Sequence, residues 1–228
     1  MAIECSCDEC ELKELFFQNI SASEMESLCQ SRVEQNYDKG DYIIEQGKPV
    51  EEFIYLKRGL VKLFITNAND KEQILSFAKP FDFVSLLSIL SKKHHSYSVM
   101  AIEDSTTCNI SIRDVKRIIR ENGKFAMSIL EKMSMVSDNV IDESLAIRRR
   151  NLRGRVAYVL LHFYRDIYKT EAFELPVSRK EIAEYIGMTT ENVIRALTEF
   201  RKDGIIKIFG KVIEIIDEHK LQQISEHG

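Results

Sequence analysis

The hydrophobic rhythm of this chain changes twice along its length. Residues 11–36 carry short amphipathic helical patterns, with Leu12, Leu15 and Phe16 and then Met25 and Leu28 at helix spacing. Residues 37–112 instead hold short runs rich in β-branched and aromatic residues: "DYIIEQG", "EEFIYLKRG", "LVKLFIT", "EQILSFA", "SYSVMAIED" and "TTCNISI". Turn-forming residues break them at Lys39-Gly40, Gly47-Lys48-Pro49, Gly59, Asn67 to Asp70, and Lys79-Pro80. Many short strands between turn signals predict a barrel or sandwich.

From about residue 113 the apolar spacing becomes helical again. Ala126, Ile129, Met133, Val136, Val140 and Ile147 recur at intervals near three and four, interrupted at Glu143, with no Gly or Pro from Lys124 to Leu152. A long helix with so narrow an apolar seam predicts pairing with a second helix from another copy, the alternative being a core helix on the β-domain. "RRRNLRGR", Arg148 to Arg155, then reads as a charged hinge, or as a solvated helix end. A smaller domain follows, opening with Val156, Leu160, Leu161 and Phe163 in a helical pattern.

The stretch "LPVSRKEIAEYIGMTTENVIRALTEFRKDGIIKIFGKVIEI" is the most informative. Ser178 predicts a helix N-cap with Glu181 as its capping-box partner, and Gly187 a helix end at positive φ. Thr189 predicts a second cap, with Val193, Ala196, Leu197 and Phe200 facing inward and Gly204 ending that helix. Two short helices around a glycine turn make a helix-turn-helix, and the β-runs around Phe209-Gly210-Lys211 make a wing. The second helix would enter the major groove with Thr190, Glu191, Asn192 and Arg195 facing the base edges. Arg bonds guanine O6 and N7, and Glu accepts from cytosine N4. The plain alternative for Glu191 and Arg195 is an i,i+4 ion pair on a solvated helix. Arg179, Lys180, Thr189 and Lys211 are placed to touch phosphates, which position a protein without specifying sequence.

Charge supports this division. Residues 148–228 hold 15 Lys and Arg against 12 Asp and Glu, leaving 17 against 24 for residues 1–147. A basic C-terminal third on an acidic body suits nucleic acid. No apolar run is long enough to span a membrane, and the first residues lack the basic patch and apolar stretch of a signal peptide, so a cytoplasmic protein is expected. There is no P-loop, H-E-x-x-H or G-x-S-x-G pattern, so no enzyme is expected.

The order of β-roll, long helix and winged helix-turn-helix with "E-x-x-x-R" resembles the CRP/FNR transcription regulators over nearly the whole chain. "YDKGDYIIEQGKPVEEFIYLKRGLVKLF" looks like the first half of their cyclic-nucleotide-binding β-roll. The resemblance implies an α+β chain in three parts: an N-terminal segment and sensor β-roll over 1–123, a dimerisation helix and hinge over 124–150, and a winged helix-turn-helix over 151–228. It implies a homodimer on a palindromic double-stranded DNA site, with RNA polymerase as the further partner. The dimer seam would be Ile129, Met133, Val136, Val140 and Ile147. Ile194 stands where the family usually has Ser or Gly before its base-reading Arg.

Members that bind cyclic AMP hold it with a "G-E" pair and a later Arg. Here "FDFVSLLSIL" puts Ser85-Leu86 at the first place, and "KKHHSYSVMA" has no Arg at the second. A phosphodiester there would lack a cationic partner, which disfavours cyclic AMP. Another small ligand in the β-roll stays open, as does a β-roll subunit regulating another protein.

Three of five cysteines fall in "CSCDEC", as Cys5, Cys7 and Cys10. The oxygen-sensing FNR branch holds a [4Fe-4S] cluster on N-terminal cysteines and one in the β-roll. The resemblance implies Cys5, Cys7, Cys10 and Cys108 as its ligands here, although Phe16 stands where the branch has a further cysteine. Zinc on the same thiols, metal-free thiol redox switching, or a tail with Cys108 as a buried apolar residue remain the other readings. Cys29 is expected in a core, and His94-His95 in a polar loop.

Overall fold

A computed structural model describes residues 19–227. Leu12, Leu15, Phe16 and the cysteines at 5, 7 and 10 lie outside the described residues. By its internal contacts the chain divides into two compact units, one up to Asp70 plus Ser76–Val140, the other Lys71–Leu75 plus everything from Ile141.

The first unit opens with helix α1 (Ala22–Gln30). Its start is a complete capping box: the Ser21 hydroxyl accepts the Glu24 N–H at 3.3 Å, and the Glu24 carboxylate accepts the Ser21 N–H at 2.6 Å. Seven strands follow, β1 (Val33–Tyr37), β2 (Tyr42–Ile44), β3 (Glu52–Arg58), β4 (Val61–Thr66), β5 (Glu72–Ala78), whose first residues fall in the second unit by their contacts, and, after the short helix α2 (Leu86–Ile89), β6 (Ser98–Ala101) and β7 (Ser105–Ser111). They form two sheets, ordered β1-β7-β3 and β2-β6-β4-β5, the layout expected of a roll. Strand β1 lies within the stretch whose spacing looked helical. Its pairing with β7, Val33 to Asn109 through Tyr37 to Ser105, overrides that local pattern. The β3–β4 turn requires Gly59: its φ is +91°, and a Cβ there would lie 2.5 Å from the Asp104 carbonyl oxygen.

Helices α3 (Ile112–Glu121) and α4 (Gly123–Arg148) complete the first unit, and α4 continues beyond it. Asn122 joins them. Its side-chain oxygen accepts from the N–H groups of Lys124 and Phe125 at 3.1 Å, while its amide donates to the Asn19 carbonyl at 2.8 Å. Phe125 and Ile129 of α4 enter one apolar cluster with Leu28, Phe53, Tyr55 and Val115.

That cluster packs part of the expected seam against the chain's own β-roll. Ile129 and Ile147 are buried within their own chain, and Met133 and Val136 pack partly against the same β-roll core. Periodicity could not show this, because a helix lying on a sheet and a helix paired with its copy share one spacing. The helix carries a second apolar row facing outward, at Met127, Leu130, Met135, Ile141 and Leu145.

The second unit holds α5 (Leu152–His162), a π-helical segment (Phe163–Tyr168), β8 (Ala172–Glu174), α6 (Arg179–Ile186), α7 (Thr190–Lys202), β9 (Ile206–Phe209), β10 (Val212–Ile215) and α8 (Glu218–His227). The arginine-rich stretch is tied down rather than loose. Asn151 caps α5 by accepting the Gly154 N–H, Arg150 donates to Ser225 Oγ at 3.1 Å and stacks on Tyr158, and Arg155 donates to the Arg150 and Ile186 carbonyls.

Candidate nucleic-acid interface

Helix α6 starts at the capping box foreseen from sequence. The Ser178 hydroxyl accepts the Glu181 N–H at 3.2 Å, and the Glu181 carboxylate accepts the Ser178 N–H at 2.8 Å. It ends at Gly187, which is left-handed at φ +65° and so turns the chain without a steric penalty. The Thr189 hydroxyl then caps α7 by accepting the Asn192 N–H at 3.3 Å. Val193, Ala196, Leu197 and Phe200 are buried, anchoring one side of α7 in the domain. The opposite side follows by periodicity. Glu191, Ile194 and Arg195 are exposed on it, with Thr198 one turn further on.

The outward stripe is ordered by local hydrogen bonds. Bonds from its own backbone N–H and from the Thr189 hydroxyl hold the Glu191 carboxyl below the usual carboxylate range. It therefore presents an ionised acceptor at neutral pH, beside the positive end of the helix dipole. Arg195 donates to Asn192 Oδ1 at 2.9 Å. No ion pair joins Glu191 and Arg195 among the described residues, so the plain i,i+4 alternative is not what the side chains do. Both charged heads are exposed.

Strands β9 and β10 form an antiparallel wing whose tip carries exposed Phe209, Gly210 and Lys211. The wing belongs to a three-stranded sheet ordered β8-β10-β9. Sequence reading missed β8, a three-residue strand too short to show a period. Arg179 reaches the wing tip, 3.5 Å from the Gly210 carbonyl, so the start of α6 and the tip lie together. Lys180 is exposed and pairs loosely with Glu184 at 3.5 Å. Thr190, Glu191, Asn192 and Arg195 thus share one helix with Thr189 at its cap, while Arg179 lies by the wing tip that carries Lys211. Positive side chains of this kind suit phosphate contacts beside base readout.

Among the described residues the cysteines offer no comparable site. Cys108 is not disulfide-bonded and is 1% exposed on β7, within the cluster that holds Leu28, Tyr55 and Ile110. An apolar setting favours the neutral thiol over the thiolate that metals require. No group of three or more His, Cys, Asp or Glu that could hold a metal occurs among the described residues. Of the expected ligands Cys5, Cys7, Cys10 and Cys108, the described residues include Cys108 alone. Cys29 is half-buried and disulfide-bonded rather than a core residue, and Leu28 beside it fills the core. His94 and His95 lie in the loop before β6, as expected, but His95 is buried there and burial lowers its pKa.

In the β-roll, the Ser85 hydroxyl accepts the Ile54 N–H at 2.9 Å and Leu86 is fully buried. Tyr97 donates to the Val84 carbonyl at 2.8 Å. The Ser85 and Tyr97 hydroxyls are thus engaged by the chain's own backbone.

Comparison with known proteins bears on each unit. Residues 34–122 match the model of the cyclic nucleotide-binding domain, and residues 154–224 match that of the Crp-like helix-turn-helix domain. Electron transport regulator A of Shewanella oneidensis is 26% identical over 228 residues, covering 96% of this chain and 90% of that protein. The transcriptional activator protein Anr of Pseudomonas aeruginosa is 25% identical, covering 94% and 90%. The fumarate and nitrate reduction regulatory protein of Escherichia coli is 24% identical, covering 97% and 90%. Among solved structures, FixK2 from Bradyrhizobium japonicum superposes with a TM-score of 0.75 at 24% identity, over 85% of this chain and 96% of that one.

Proposed function

Because this chain belongs to the CRP/FNR family of transcription regulators, we propose that it acts as a homodimer on a palindromic DNA site, under a signal received by its N-terminal part. It is a DNA-binding transcription regulator, similar to the FNR and Anr anaerobic regulators. The observation that carries the proposal is the outward stripe of α7, with Glu191 and Arg195 unpaired with each other on a helix fixed at its cap. Residues 1–123 would sense, 124–150 would dimerise and 151–228 would bind DNA. Two recognition helices would enter successive major grooves, about 34 Å apart. Activation would further require contact with RNA polymerase.

The outward row of α4 supports the dimer. Leu130 is 53% exposed on a helix whose other apolar face is already covered, and Met127 and Ile141 share that exposure. Exposed apolar residues in a row are the usual mark of a partner surface. Leu130→Glu should leave the fold intact and raise the dimer dissociation constant at least tenfold. Sedimentation velocity with circular dichroism checks it, and an unchanged dimer would remove α4 from the interface.

For the signal, relatives named anaerobic regulatory proteins support oxygen as one reading, through an iron–sulfur cluster whose donors would include residues beyond the described ones. One observation favours a second reading: Cys29, next to the core residue Leu28, is disulfide-bonded. Two thiols that give two electrons and two protons to a peroxide-class oxidant form such a bond. Purification without oxygen, with iron, sulfide, thiol and DNA-affinity assays before and after oxidation, separates the two. Stoichiometric iron and sulfide lost in air would carry the cluster. Iron-free protein that loses two thiols, with an affinity change of threefold or more that Cys29→Ser abolishes, would carry the disulfide. Affinity indifferent to both would overturn both.

A further inference from the structure

Ile194 is an apolar β-branched residue left 51% exposed in the middle of the stripe that faces away from the domain. Every other large apolar residue of α7 is buried: Val193, Leu197 and Phe200. Ile194 therefore does not support the fold of its own chain. Its neighbours on the same face are Glu191, three residues before it, and Arg195, directly after it, and both end in charged groups suited to base edges. The backbone beneath it is fixed, because the Thr198 hydroxyl donates to the Ile194 carbonyl at 2.8 Å. A β-branched side chain on a helix also has one strongly preferred χ1, so its methyl groups point in a set direction.

In the major groove the base edges offer one apolar group, the C5-methyl of thymine. Side chains three apart on a helix lie about 5–6 Å from each other, and stacked bases about 3.4 Å. Ile194 would therefore reach a base within about two steps of the pair that Glu191 contacts. A polar edge there would lose water against the isoleucine and gain no bond, which disfavours the other bases.

We propose that Ile194 is a specificity-determining residue that selects thymine by packing on its C5-methyl, next to the base pairs read by Glu191 and Arg195. This rests on the reading of α7 as the recognition helix.

The test uses the full chain. Selection from a random duplex pool gives the preferred half-site, and each thymine near its core is then replaced by deoxyuridine, which removes the methyl and keeps the pairing. At one thymine position, replacement in one half-site should cost the wild type about fourfold in affinity, the value of one buried methyl group, and in both half-sites about fifteenfold. Ile194→Ala should bind the thymine site more weakly and show no difference between thymine and deoxyuridine. Equal affinity of the wild type for every deoxyuridine duplex would overturn the proposal, and so would an Ile194→Ala protein that keeps the full discrimination. A chain that enriches no sequence at all would instead overturn the recognition-helix reading itself. Circular dichroism confirms that the variant is folded, as expected for an exposed site.

Discussion

Arg195→Ala is expected to reduce affinity for the preferred palindrome by about thirtyfold to twenty-thousandfold, at fixed salt. Each bidentate arginine–guanine contact is worth roughly 1–3 kcal/mol of discrimination, and a palindrome engages two of them. The sum, about 2–6 kcal/mol, converts at about 1.4 kcal/mol per tenfold. The free protein should be little changed, since Arg195 is exposed and its hydrogen bond within the chain is to Asn192. Arg195→Lys separates geometry from charge. Lysine keeps the charge and loses the planar fork, so it should recover only a minor part of the loss. Binding titrations on the preferred site and on a scrambled duplex provide the check. A variant weakened equally on both would make Arg195 a phosphate contact, and full recovery by lysine would do the same.

Phe200→Ala is expected to destabilise the DNA-binding unit by about 3–5 kcal/mol, the range for a fully buried phenylalanine. Phe200 has no exposed surface and closes the inward side of α7 with Val193, Ala196 and Leu197. Arg153 lies over its ring at 5.4 Å and pairs with Asp203 at 3.0 Å and Glu199 at 3.5 Å. Removing the ring empties the space and takes the surface from beneath that guanidinium. For a unit of this size the loss corresponds to a fall of roughly 12 °C or more in Tm. Urea and thermal melts followed by circular dichroism measure it. A loss under about 1 kcal/mol would mean that α7 is held by its caps and turn rather than by its buried face.

The parts legible in the sequence are those with a local chemical cause. Ser178 with Glu181, Thr189 and Gly187 fix the helix-turn-helix through backbone bonds within three residues, and all behave as their types require. The runs "EEFIYLKRG", "LVKLFIT" and "TTCNISI" coincide with β3, β4 and β7, where turns on both sides bound a β-branched segment. What was hidden depends on distant partners. Strand β1 exists through its pairing with β7, and β8 through its pairing with β10. The two apolar faces of α4 differ only in what covers them, and no single-chain periodicity carries that distinction. The partner of Arg195 was hidden for a smaller reason. Asn192 and Glu191 are both within one turn of it, and the Thr189 cap, by engaging Glu191, decides between them.

Asn122 gives the N-terminal end of α4 a mechanical position. One amide bonds the carbonyl of Asn19 while the oxygen of the same side chain holds the first N–H groups of the helix. A helix of 26 residues is a rod about 39 Å long. Phe125 and Ile129, buried in the apolar cluster within about two turns of that asparagine, hold the same end of the rod, so its start is fixed by a polar tether and an apolar anchor together.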